Sequence, residues 1–144
     1  MAQDDSGQPK QTDPFFGTWK LDPTQSDYEF GLPPRSGLYH IEPEGTGLTF
    51  TAEWITPEGQ PARVVYHVGP DGQDHPSGHP TVADTIATTH LSPRQLDTAA
   101  KKDGRIVNLA TRVLSQDGQT MTVTQSGTTP EGQPYRNIAI YRKQ

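Results

Sequence analysis

The chain has 144 residues, a formal net charge of -5 and only 30% hydrophobic residues. That length suits one domain. The acidic balance excludes a phosphate-binding surface built on clustered Lys and Arg, so no nucleic-acid partner is expected. The absence of Cys excludes disulfides, thiolate metal sites and a cysteine nucleophile.

Residues 1-13 are polar and patternless and read as a disordered tail, which leaves one domain over residues 14-144. The start Met1-Ala2-Gln3-Asp4-Asp5 lacks the basic and apolar regions of an export signal. A cytoplasmic start and a chain whose export signal has been removed both stay open. No apolar run approaches the length of a membrane span.

The first strand is predicted over residues 15-22, with Gly17, Trp19 and Leu21 on one face. Pro23, Pro33 and Pro34 then exclude a helix longer than one turn, and Asp27-Tyr28-Glu29-Phe30 reads as that turn. Strands follow at 38-43, 47-56 and 61-69. Asp71-Gly72 marks a turn, and Asp74-His75-Pro76-Ser77-Gly78-His79-Pro80 reads as a loop rather than a strand. Strand patterns resume at 81-91, 94-102, 105-115, 119-127 and 134-142. The pairs Asp103-Gly104 and Asp117-Gly118 are hairpin signals, because Gly accepts the positive φ of a tight turn. The phrase Thr-Pro-Glu-Gly-Gln-Pro occurs at 56-61 and again at 129-134, two turns of the same chemistry. With 14 Gly and 14 Pro among these runs, the pattern predicts an all-β, single antiparallel up-and-down β-barrel of about 8-10 strands, closed so that no sheet edge is exposed.

The residues Gly17-Thr18-Trp19-Lys20-Leu21 resemble the first strand of fatty-acid-binding proteins and the Gly-x-Trp signature of lipocalins. Gly118, Met121-Thr122-Val123-Thr124, Gly127-Thr128 and Ile138-Ala139-Ile140-Tyr141-Arg142 look like the last two strands of such calycin barrels. The chain is similar, over about residues 14-144, to bacterial lipocalin-like domains. The resemblance implies a small hydrophobic ligand in the barrel and a closing Trp beneath a basic residue of the last strand, here Trp19 with Arg142. Two departures stand out. The Pro-rich stretch 23-37 cannot form the helix-turn-helix lid of fatty-acid-binding proteins, and the last strand lacks the Arg of their Arg-x-Tyr pair.

Strand parity predicts which side chains face inward. Leu48, Phe50, Ala52 and Trp54 alternate with Thr49, Thr51 and Glu53. By the same reasoning Tyr66, Ile86, His90 and Leu109 join them, Leu109 together with Val107 and Val113. The predicted ligand-binding set is therefore Phe50, Trp54, Tyr66, Ile86, His90 and Leu109. In the last strand Ile138 and Ile140 compete with Ala139 and Tyr141 for the inner face.

No nucleophile, phosphate-loop or metal-hydrolase motif is present. The prolines and Gly78 around His75 and His79 suit a tight turn, so no metal site is expected, and no cofactor. Two function classes follow. One is a carrier of a small hydrophobic or amphipathic ligand. The other is a cofactor-independent cyclase or isomerase in which His90 or His67 works with Tyr66 as an acid-base pair. A structural or interaction module, as a monomer or homodimer, is a third.

Overall fold

The computed structural model describes residues 13-78 and 83-144. Among them are eleven strands: β1 (Gly17–Leu21), β2 (Asp27–Tyr28), β3 (Ser36–Glu44), β4 (Gly47–Ile55), β5 (Pro61–Val68), β6 (Asp71–Pro76), β7 (Thr85–Ser92), β8 (Gln95–Lys102), β9 (Arg105–Leu114), β10 (Thr120–Thr128) and β11 (Pro134–Lys143). Ten of them form one antiparallel path, β5-β4-β3-β1-β11-β10-β9-β8-β7-β6, and β2 pairs with β11 beyond the end of β1. Because β1 bridges β3 and β11, the meander curls into a barrel. Its path ends at β5 and β6, so the barrel is nearly closed rather than closed. No helix among the described residues is long and apolar enough to cross a membrane.

Turn chemistry fixes the hairpins. Asp103 and Gly104 have φ of 53° and 77°, the two left-handed residues of a two-residue hairpin turn. In both copies of the repeated phrase a Thr and a Gln exchange backbone contacts across a three-residue loop. Thr56 N donates to Gln60 O and Gly59 N to Thr56 O, and Thr129, Gln133 and Gly132 repeat the pattern.

One end is sealed by Phe15, Trp19, Ile41, Leu96 and Met121, all fully buried, with Trp19 Nε1 donating to Phe15 O at 3.0 Å. The cation over the Trp19 ring is Lys143, its Nζ 5.3 Å from the centroid. This corrects the expected pairing with Arg142. Trp19 is in register with Lys143, whereas Arg142 is opposite Lys20 and points outward to Asp22 and Thr120.

Three further corrections have local causes. Residues 71-76 form an edge strand, β6, paired to β7 despite a register shift between Asp71 and Asp74. The single helical turn falls at Pro23–Gln25, and Asp27–Tyr28 is a strand. Finally, Ala100 pairs with Asn108 but Lys101 with Ile106, so Val107 is an extra residue in β9. One extra residue exchanges the faces of a strand. Beyond it Asn108, Ala110, Arg112 and Leu114 share the inner face, while Leu109 and Val113 point outward, 45% and 41% exposed.

Candidate functional site

The segment between β1 and β3 covers the end of the barrel opposite Trp19. Its first half replaces strand pairing along β11. Asp22 N donates to Ile140 O, Ile140 N to Ser26 Oγ, and Glu29 N to Arg136 O. Asn137, buried on the inner face of β11, completes the attachment. Its Oδ1 accepts from Glu29 N and Phe30 N at 2.9 and 3.1 Å, and its Nδ2 donates to Phe30 O at 3.0 Å. The far end is held by Arg35, which donates through N to Ile55 O and through Nε to Pro57 O. Between these anchors Leu32 and Pro34 arch over the barrel mouth.

Beneath the arch lies an interior lobe of about 430 Å³, walled by Tyr28, Trp54, Val64, Val123 and Tyr141. A second lobe of about 380 Å³ extends toward β6 and β7, where Val68, Ala83, Ile86, Ala100 and Tyr135 line it. The lobes share Phe50, Tyr66, Ala110, Arg112 and Gln125. A partly apolar cavity with a few convergent polar groups is the usual form of a small-molecule site.

Arg112 is the unusual group. It is 7% exposed, inside the barrel, and faces only neutral partners. Nε donates to Tyr39 Oη at 2.9 Å and Nη1 to Thr98 Oγ1 at 2.6 Å, and the guanidinium lies 4.8 Å from the Phe50 ring centroid and 5.7 Å from that of Tyr39. No carboxylate among the described residues pairs with it. A guanidinium has five N–H donors, and these hydrogen bonds engage two. Burial raises the Tyr66 hydroxyl above its ordinary pKa, with Tyr39 adding to the shift and Arg112 opposing it. Tyr141 is pushed up much further, again first by burial, so both phenols are neutral donors beside the cation.

Of the sequence-predicted lining, Phe50, Trp54, Tyr66 and Ile86 stand on this cavity. Leu109 does not, because the β9 bulge turns it outward. His90 shares the inward parity of Ile86 but sits at the sealed end, its Nε2 3.2 Å from Asp13 Oδ2 and its ring edge-on to Phe15. His67 is on the outer face, its Nδ1 2.8 Å from Glu44 Oε1, and that hydrogen bond, with a second from Thr49, lowers the Glu44 pKa. Tyr66, His67 and His90 are therefore not brought together. His75 contacts both oxygens of Asp71 at 3.0 Å, and His79 lies outside the described residues. In the last strand the inner face goes to Tyr135, Asn137, Ala139 and Tyr141. Sequence reading missed Arg112, Thr98 and Asn137. Arg112 could have been found by fixing β9 parity from its far hairpin, where Leu114 is opposite Met121.

The fold is an all-β up-and-down meander of ten strands, nearly closed and sealed at one end by a first-strand Trp, the architecture of a calycin-type barrel. Among solved structures the chain is similar to zebrafish ileal bile acid-binding protein complexed with cholic acid. That likeness has a TM-score of 0.58 at 13% identity and covers 91% of this chain and 99% of the other. No family model and no curated protein sequence matches the chain.

Proposed function

We propose that the protein binds and carries a small amphipathic molecule, its apolar part in the two lobes and an acidic group on Arg112. The observation that carries this reading is the uncompensated guanidinium. A buried charge costs several kcal/mol unless it is paired, and Arg112 has only neutral partners. An acidic ligand supplies the missing charge, and the hydroxyls of Tyr39, Tyr66 and Tyr141 can donate to the same group. That the similar barrel from zebrafish is complexed with cholic acid supports an amphipathic acid as the ligand class. The acid-base alternative has less support, since His67 is outside the barrel and His90 is engaged by Asp13 at the sealed end.

The test is native mass spectrometry of protein purified from cells, with organic extraction of what copurifies, followed by titration of the extracted acid into wild type and Arg112→Met. Loss of the charge-assisted hydrogen bonds predicts affinity lower by about 10- to 100-fold. The empty variant should be as stable as wild type or more so, because Met removes a buried charge that has no counter-charge. A protein that arrives empty and takes up no acidic amphiphile overturns the reading.

A further inference from the structure

Four of the eight large apolar side chains exposed among the described residues, Leu91, Ile106, Leu109 and Val113, lie on β7 and β9 away from the interior lobes. The strand registers put Thr85, Ala87 and Thr89 of β7 and Ile106, Leu109, Thr111 and Val113 of β9 on the outer surface, with exposed Leu91 at the irregularity beside them and without one charge. Between them β8 presents Asp97, Ala99 and Lys101. The small side chains of Ala87 and Ala99 beside Leu109 leave a depression of about 250 Å³, rimmed by Thr89, Leu91, Asp97 and Thr111. The outer surface of β3–β5 differs in carrying two ionic clusters, His40 with Glu53 and Arg63, and Glu44 with His67, beside its exposed Leu38.

We propose that the β7–β9 face is an interface on which two copies of this chain pair, about a two-fold axis running across the strands at the Ala99–Leu109 rung. The charges select a second copy. Asp97 and Lys101 lie two residues to either side of Ala99 on one face, so the axis exchanges their positions and sets Asp97 against the partner's Lys101 at two symmetric points. An axis along the strands would oppose Asp97 to its own counterpart, and like charges placed so are repulsive. Across the chosen axis Leu109 meets its counterpart over the depression, and Thr111 meets the partner's Ile106. Lys101 keeps a second acid within its own chain, Asp74 at 3.1 Å, which fixes the ammonium at the rim. A two-fold interface must be self-complementary, and this arrangement of charge about an apolar rung is.

Size sets the strength. Extending over the three strands β7 to β9 and about eight residues along them, the face offers about 380 Å² per copy at the ordinary strand spacing. The total of about 760 Å² is the size of a weak, transient interface, so the dimer is reversible.

Sedimentation velocity over a concentration series decides the matter without any ligand. Wild type should move from monomer to dimer with rising concentration, and Leu109→Glu should stay monomeric with an unchanged circular dichroism spectrum and melting temperature. Asp97→Lys should weaken dimerisation at least about tenfold, and adding Lys101→Asp should restore it. A wild type that stays monomeric at every concentration, or a dimer that survives Leu109→Glu, overturns the proposal. So does failure of the double charge exchange to rescue when both variants melt as wild type does.

Discussion

Tyr141 shows how a single side chain carries the barrel's interior chemistry into its pH response. Burial holds its phenol above the ordinary value of 10.0, with Tyr39 and Tyr28 raising it further and Arg112 pulling the other way. Burial likewise raises Tyr28 and Tyr66. In the folded chain these groups keep their protons where the unfolded chain has begun to lose them. The stability they contribute is fully present below about pH 10 and is lost as pH rises toward the folded-state values. Urea unfolding should therefore give a free energy that is flat in this respect up to about pH 10 and falls above it. Tyr141→Phe should reduce that fall by up to about 1.4 kcal/mol per pH unit. Superimposable alkaline profiles for wild type and Tyr141→Phe would refute the assignment.

At the scale of elements, the strap between β1 and β3 depends on Asn137. Three backbone groups of Glu29 and Phe30 end on this one amide, and Phe30 packs on Tyr135 with ring centroids 5.1 Å apart. Replacing Asn137 with Ala leaves Phe30 N and Phe30 O without these partners in a half-buried position and Glu29 N with only Arg136 O at 3.3 Å, a loss of about 1–3 kcal/mol. Amide exchange at Glu29 and Phe30 should accelerate while exchange in β9 and β10 keeps its relative protection. An Asn137→Ala variant with unchanged exchange at Phe30 would show that the strap is held elsewhere. None of this was legible in the sequence, because an Asn in a strand shows no sign of a partner 107 or 108 residues away. What was legible was local. Alternation in 47-56 and the turns at Asp103-Gly104 and Asp117-Gly118 placed β4, β8, β9 and β10 to within a residue, since side-chain parity and positive φ are decided by neighbours. The β9 faces were misread for the converse reason. Val107, Leu109 and Val113 outweigh Ala110 and Leu114 in hydrophobicity, and only the bulge, a property of the pairing with β8, turns Arg112 inward.

For the whole molecule, the consequence of near-closure is uneven stability. Strands β10 and β11 lie mid-path, each paired on both sides, and contribute Met121, Val123 and Ala139 to the core. Strand β6 ends the path and pairs only with β7. Its register slips between Asp71 and Asp74, and its residues are exposed except for a half-buried His75. It was unreadable as a strand because Asp-Gly-Gln-Asp-His-Pro buries nothing apolar and so shows no alternation. A segment with few buried apolar contacts opens at a fraction of the global unfolding free energy. Native-state hydrogen exchange should thus find β6 opening well below the free energy at which β10 and β11 exchange, with little dependence on urea. Ile86 lines the second lobe from the strand that β6 covers, so bound ligand should raise the protection of β7 more than that of β10. Opening free energies in β6 equal to those of β10 would mean that the seam is as firmly held as the centre of the sheet. The near-closure would then have no bearing on how the interior is reached.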